Sequence, residues 1–352
     1  MPVTIARAPT RLDFGGGWTD VPPYSTEEGG FVCNVAIARH ATVRLSPTGA
    51  GERGPARATT AEGWGWALHG KDDQALAAAV LRRHGAPSLR VSQSSDFPVG
   101  AGLGGSSAVG VAMIAALASF APGGLEGERA GLAVRDDAGE IDRTLLAEAS
   151  RAIEVDDLGI PGGRQDHYAA AYGGALALTF GDAGTEVRRL TLPPNVVRGL
   201  EARLVVVYTG ESRISGDTIT AVLDAYGRRE RNVLSALACM KALAREMADA
   251  LAGGDIDTLG ALVGEHWRHQ RSLHPAIPTA RIDAIVERGT AAGAVGCKAL
   301  GASGGGCVLL VAGEERASAV REAVAPLGRL LSLTLDTEGV RWWTEEGDGG
   351  EE

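Results

Sequence analysis

Pro98-Val99-Gly100-Ala101-Gly102-Leu103-Gly104-Gly105-Ser106-Ser107-Ala108 is a glycine-rich loop set between two structured stretches. The segment from Leu89 before it reads as a strand. The Ala/Val/Met run from Ala108 to Phe120 after it suits a buried helix. A strand, a glycine loop and a helix start make a site for an anion. The first N–H groups of a helix are unpaired, and its dipole favours negative charge. Ser106 and Ser107 stand where the helix begins. A serine hydroxyl there either ligates Mg²⁺ beside phosphate oxygens or simply caps the helix. The loop is not G-x-x-x-x-G-K-[ST]. Gly100-x-Gly102-x-x-Gly105 also matches the dinucleotide fingerprint. Yet the twenty residues beyond it read as helix and glycine-rich loop, with no clear strand to carry an acidic partner.

Working outward, 2–14 and 31–46 read as strands around a Gly/Pro-rich loop, 15–30. Residues 73–84 have helical spacing. Residues 121–142 read as a surface loop with part of a helix. A helix over 144–154 precedes a second glycine loop, 159–163, and a helix or strand pair follows around 168–180. The polar, turn-rich stretch 181–195 is the expected domain boundary. Beyond it, residues 202–210 read as a buried strand, and helical patterns fill 215–253 and 255–270. A third glycine loop, 301–306, leads into a strand at 307–312, then a helix over 314–326 and a strand over 330–336. There are no tandem repeats. The expected units are therefore 1–185, 196–344 and a disordered acidic tail, 345–352.

Hydrophobic residues make up 45% of the 352, enough for a sizeable core, and the formal net charge is -10. An acidic chain without a basic block argues against nucleic acid as partner but not against an anionic substrate. The cysteines, Cys33, Cys239, Cys297 and Cys307, show no metal-type pairing in spacing and read as free thiols. The N-terminus lacks a signal-peptide core, and no run is long enough to span a bilayer, so a soluble cytoplasmic protein without a membrane partner is expected. The lysines are Lys71, Lys241 and Lys298 alone, which turns attention to arginine for any phosphate chemistry. His266 and His269 stand i, i+3. Without a hydrolytic carboxylate motif they read as surface or packing histidines.

The loop resembles the second motif of the GHMP kinases, the family of galactokinase, homoserine kinase, mevalonate kinase and phosphomevalonate kinase. Arg7-Ala8-Pro9-Thr10-Arg11-Leu12-Asp13-Phe14-Gly15-Gly16-Gly17-Trp18-Thr19-Asp20 resembles the first motif. Lys298-Ala299-Leu300-Gly301-Ala302-Ser303-Gly304-Gly305-Gly306-Cys307 resembles the third, with Ser303 where the family commonly has Gly. The three stand in the family's order across almost the whole chain. The resemblance implies an α+β fold: an N-terminal domain like ribosomal protein S5 domain 2, a ferredoxin-like C-terminal domain, and ATP and acceptor meeting between them.

It also implies roles. Pro98, Gly100, Gly102, Leu103, Gly104, Gly105, Ser106, Ser107 and Ala108 would hold ATP. Ser107 and Glu154 would hold Mg²⁺. Asp166 would accept or orient the acceptor's proton, with Arg11 beside it. An arginine cannot serve as base, but it favours an ionised neighbour and stabilises charge on the transferred group. Asp20, with Trp18, Thr19, Gly163 and Arg164, would contact the sugar. Arg213 and Arg164 would meet its distal groups, and Gly304 and Gly305 would shape the acceptor loop. The sugar-kinase branch is the most similar. Gly16-Gly17-Trp18-Thr19-Asp20-Val21-Pro22-Pro23-Tyr24 resembles L-fucokinases. Arg164-Gln165-Asp166-His167-Tyr168, followed by Ala169-Ala170-Ala171-Tyr172-Gly173-Gly174, resembles D-glycero-D-manno-heptose 7-phosphate kinases. Both groups phosphorylate the anomeric oxygen. Chain length favours the heptose group, since fucokinases usually carry a large additional domain. Other readings stay open: a neutral sugar as acceptor, a non-catalytic sensor of sugar and ATP, and an NAD-dependent dehydrogenase. Oligomeric state is not readable.

Overall fold

The computed structural model describes residues 2–47, 71–84, 89–120, 134, 136, 138, 140–211 and 216–346. The first strands, β1 (Pro2–Gly15) and β2 (Gly30–Pro47), run antiparallel. Nearly every residue of β1 is buried rather than every second one. The cause is packing on more than one side: helix α2 (Gly105–Phe120) lies against both strands, and so does a helix from the second half of the chain. The polar residues Thr10, Arg11 and Asp13 are therefore buried within an apolar strand.

Between these elements come α1 (Lys71–Arg83) and β3 (Leu89–Ser95). After α2 come α3 (Arg143–Ala152), capped by the Asp142 side chain on Leu145 N–H, and α4 (Gln165–Tyr172). Strands β4 (Ala175–Gly181) and β5 (Gly184–Leu190) follow as a hairpin. β3 and β4 share one edge of β2, pairing with residues 41–47 and 30–35. α2 is buried along almost its whole length, as an apolar run without a polar face requires.

The second half holds α5 (Pro194–Arg203), β6 (Leu204–Tyr208), α6 (Gly216–Gly227), α7 (Arg231–Gly253), α8 (Ile256–Ser272) and α9 (Ala280–Ala291). It continues with β7 (Ala294–Ala299), β8 (Cys307–Ala312), α10 (Ala317–Val324), β9 (Arg329–Leu331) and β10 (Arg341–Glu346). Its sheet has the antiparallel order β7-β8-β6-β9. Read from β9 in chain order, that is fourth, first, third, second, the ferredoxin-like arrangement expected. Alternation divides its residues. Leu204, Val206, Leu309 and Val311 join the large core under the first sheet. Val205, Val207, Val308 and Leu310 pack with Ile282 and Ile285 of α9 and Val320 and Val324 of α10.

Three sequence expectations change. The stretch 181–195 is not only turn, because β5 lies inside it. β5 is a polar edge strand without apolar alternation, which hid it. The strand expected over 330–336 pairs only as Arg329–Leu331, while Leu335 makes an isolated bridge to Ile37 in the first sheet. The chain then returns there: β10 pairs with β1, so 341–346 belong to the first sheet and residues 345 and 346 are strand rather than tail. Residues 347–352 lie outside the described residues, as does most of 121–142. The four cysteines are free. No described helix is long and apolar enough to cross a membrane.

Candidate active site

The loop 98–105 runs from the end of β3 to the first turn of α2, and both other glycine motifs close on it. On one side β1 passes beneath, with Arg11 N–H donating to Leu103 O (3.1 Å). On the other side the loop 300–307 packs against it. Cys307 N–H donates to Ala101 O (2.8 Å), and a Cβ on Gly102 would come within 2.6 Å of Leu300 O. Gly102 and Gly104 both have positive φ (72° and 74°). Residues of opposite backbone hand alternate here, which turns successive N–H groups toward one side and makes a concavity for anions.

Arg11 crosses from β1 into this loop. Its Nη1 donates to Gly102 O (2.6 Å), and its Nε and Nη2 both reach Asp166 Oδ1 (2.7 Å each). Asp166 stands in the first turn of α4 and leans on Gly104, whose Cβ would lie 3.0 Å from the Asp166 Cβ. A buried arginine thus joins the glycine loop to the carboxylate across 155 residues of chain.

At the helix start, Ser106 Oγ donates to Glu154 Oε1 (2.6 Å) and Ser107 Oγ to Glu154 Oε2 (3.1 Å). Glu154 lies in a wide turn after α3, closed by Leu158 N–H on Ile153 O five residues back, a distortion that occurs often at functional sites. Burial opposes its charge, but hydrogen bonds from His167, Ser106 and Ser107 outweigh burial and hold the carboxyl below its ordinary value. Ser107 and Glu154 are hard oxygen donors on adjoining elements, and this donor set fits Mg²⁺.

Asp20 is buried beside the same helix. Its Oδ2 accepts Gln165 N–H (3.0 Å), and it fills the space over Gly163, where a Cβ would lie 1.9 Å from that oxygen. Burial, with Asp166 and Asp13 nearby, pushes its carboxyl up to about 6. Arg11, Asp20, Gly163 and Asp166 therefore lie together.

Other expected contacts do not reach that point. Thr19 is fully buried, and its hydroxyl donates to Gly16 O (2.7 Å) and accepts Phe31 N–H (3.1 Å), holding the loop after β1 to β2. Trp18 is buried in the second core with Tyr24 and Trp267, a packing anchor. Arg164 is drawn to Glu148 of α3 (3.4 Å). Gly304 gives its N–H to Ile277 O (2.9 Å), and Gly305 is pressed against Glu211 O, so both serve loop packing. Ser303 keeps a positive φ of 72° without being glycine. Its Oγ accepts a hydrogen bond from Gln270 Nε2 (3.2 Å), which helps hold it there. Arg213 lies outside the described residues.

Sequence reasoning passed over three participants. His167 touches both Glu154 and Ser107. Asp13 and Lys298 form a fully buried ion pair (3.0 Å) between the first strand of one sheet and β7 of the other. Next to it, His266 Nε2 accepts Gly16 N–H (2.9 Å), and burial, helped by Lys298 and His269, holds this imidazole well below its ordinary value. His167 follows Asp166 directly, and Asp13 and Lys298 lie inside the quoted motifs. The available signal was a polar residue in an otherwise apolar element.

The family models described as GHMP kinases N terminal domain and GHMP kinases C terminal match residues 73–174 and 247–328, together just over half of the chain. A D-glycero-alpha-D-manno-heptose 7-phosphate kinase of Campylobacter jejuni is 26% identical over 349 residues, covering 96% of this chain and 98% of that one. A bifunctional fucokinase/GDP-fucose pyrophosphorylase of Arabidopsis thaliana is 26% identical over 344 residues, covering 91% of this chain. The chain spans 31% of that relative's length. Among solved structures, a D-glycero-D-manno-heptose 1-phosphate kinase from Bacteroides thetaiotaomicron has the same fold, with a TM-score of 0.73 at 23% identity over 98% of this chain and 100% of that one.

Proposed function

The chain belongs to the GHMP kinase family, a sugar kinase within it, and from that premise we propose that it transfers the γ-phosphate of ATP to the anomeric hydroxyl of a sugar. The acceptor we put first is D-glycero-D-manno-heptose 7-phosphate, giving the 1,7-bisphosphate. The observation that carries the reading is the contact of Arg11 with both Asp166 and Gly102 O, which ties a carboxylate to a phosphate-type glycine loop.

Phosphoryl transfer leaves little covalent work to the protein, so positioning and charge dominate. The N–H groups of 100–105 cradle the phosphates. Arg11 lies between them and the acceptor, where it meets charge spreading over the transferred group. Asp166 accepts the proton of the attacking hydroxyl. An anomeric hydroxyl is more acidic than an ordinary alcohol, which eases that transfer. Asp20, fixed by Gln165 N–H, reads sugar hydroxyls. Ser107 and Glu154 would hold Mg²⁺, which neutralises charge on the phosphates when bound.

A neutral sugar such as L-fucose is the second reading. Arg164, the described arginine meant for a distal phosphate, is engaged by Glu148. An ADP-release screen over sugars and sugar phosphates, with phosphorus NMR of the product, separates the two. Expected is turnover of the heptose 7-phosphate with a new phosphate coupled to the anomeric proton. A new phosphate at another carbon, or no ADP with any sugar, overturns the proposal.

A further inference from the structure

His167 is 1% exposed and has no part in the chemistry above. Adjacent helical residues point about 100° apart, so α4 turns Asp166 toward Arg11 and His167 inward toward α2 and α3. There the imidazole is held at both ends. Nδ1 lies 3.0 Å from Ser150 Oγ of α3. Nε2 lies 3.1 Å from Glu154 Oε2 and 3.3 Å from Ser107 Oγ.

The donor count decides which atom carries the hydrogen between ring and carboxylate. An ionised carboxylate only accepts, so the hydrogen between His167 and Glu154 belongs on Nε2. Nδ1 faces the Ser150 hydroxyl, which can donate to a bare Nδ1 or accept from a protonated one. Ser106 and Ser107 donate to the two Glu154 oxygens. Every polar atom of the cluster is satisfied once Nε2 carries a hydrogen. Nε2 has no lone pair left for a cation, and Mg²⁺ prefers oxygen.

We propose that His167 is a positioning residue: its Nε2–H fixes the Glu154 carboxylate beside Ser107 in the orientation that receives the Mg²⁺ of Mg·ATP. This rests on the reading of Ser107 and Glu154 as the metal's oxygen donors. Groups that orient a metal ligand in this way typically affect metal affinity by about 10–100-fold.

The test uses the full chain with Mn²⁺ as probe and a non-hydrolysable ATP analogue, read by electron paramagnetic resonance. His167→Gln puts an amide N–H near the position of Nε2. His167→Asn ends near Nδ1 and falls short of Glu154. Expected is Mn²⁺ affinity within about 3-fold of wild type for His167→Gln and a loss of about 10–100-fold for His167→Asn, with metal-free analogue binding unchanged in both. Nitrogen-15 NMR of the metal-free wild type reports the ring hydrogens independently, with Nε2 protonated. Equal Mn²⁺ affinity in the two variants, or an Nε2 without a hydrogen, overturns the proposal. Wild type that binds the analogue but no Mn²⁺ overturns the metal reading itself, a result the nitrogen-15 measurement keeps separate. Should His167→Asn fail to fold, a weakened His167→Gln or a bare Nε2 still overturns it.

Discussion

Asp166 and Asp20 are two carboxylates on one site with different surroundings. Asp166 is gripped by Arg11. Among the described residues no cation pairs with Asp20, and burial raises it to about 6. Asp166→Asn keeps the shape and one acceptor oxygen but cannot take a proton. It is expected to lower kcat by about 10²–10⁴-fold with ATP affinity kept, measured by single-turnover kinetics and nucleotide titration. Full activity in that variant removes Asp166 from the chemistry. For Asp20 the folded state binds a proton more tightly than the unfolded chain between 3.8 and about 6. Stability therefore falls as pH rises through that window, and Asp20→Asn is expected to lack this slope in chemical denaturation. If the ionised form reads the sugar, KM for the acceptor rises as pH drops through about 6 in wild type, and the inflection disappears in Asp20→Asn.

At the scale of elements, the glycine loop and the start of α4 form one unit. Gly104 has a positive φ and presses on Asp166, so a methyl group there meets both backbone strain and a neighbour at 3.0 Å. Gly104→Ala is expected to cost about 1–2 kcal/mol of stability. It is also expected to lower kcat more than ATP affinity, because the displaced group is Asp166. Melting curves and steady-state kinetics check both, and an equal loss in kcat and in affinity would place the damage in the phosphate loop instead. This unit was readable in sequence as a strand, a glycine loop and a helix. The Ser107–Glu154 link was expected too, but its geometry was not readable, because a wide turn after α3 brings Glu154 round. Edge strand β5 escaped notice for a related reason: pairing made it a strand, and its own side chains carry no alternation.

Across the whole molecule, the two sheets are joined behind the site by Lys298 and Asp13, with His266 on Gly16 beside them. The Lys298 side chain is 0% exposed, and removing it alone strands a buried carboxylate. Lys298→Met is expected to destabilise the chain by about 3–5 kcal/mol, and Asp13→Asn in the same chain to recover much of that loss. Denaturation of both variants checks this. Additive losses would show that the pair does not act as a unit. The anchor also joins the first and third motifs across the chain: each supplies half of one buried pair.

That Arg11, Asp20, Ser107, Glu154 and Asp166 belong together was implied by the family resemblance; the sequence by itself determined that this chain carries three glycine motifs in a fixed order and which strands and helices flank them. Those properties are local, written in residue type and spacing. Tertiary structure alone decided which of them touch. It spent Thr19 and Gly304 on holding the fold, brought β10 back to the first sheet, and supplied His167, Asp13 and Lys298. The physical reason is that a polar group in a core must find its partner wherever the fold brings one, and the identity of a partner 285 residues away leaves no mark in local sequence.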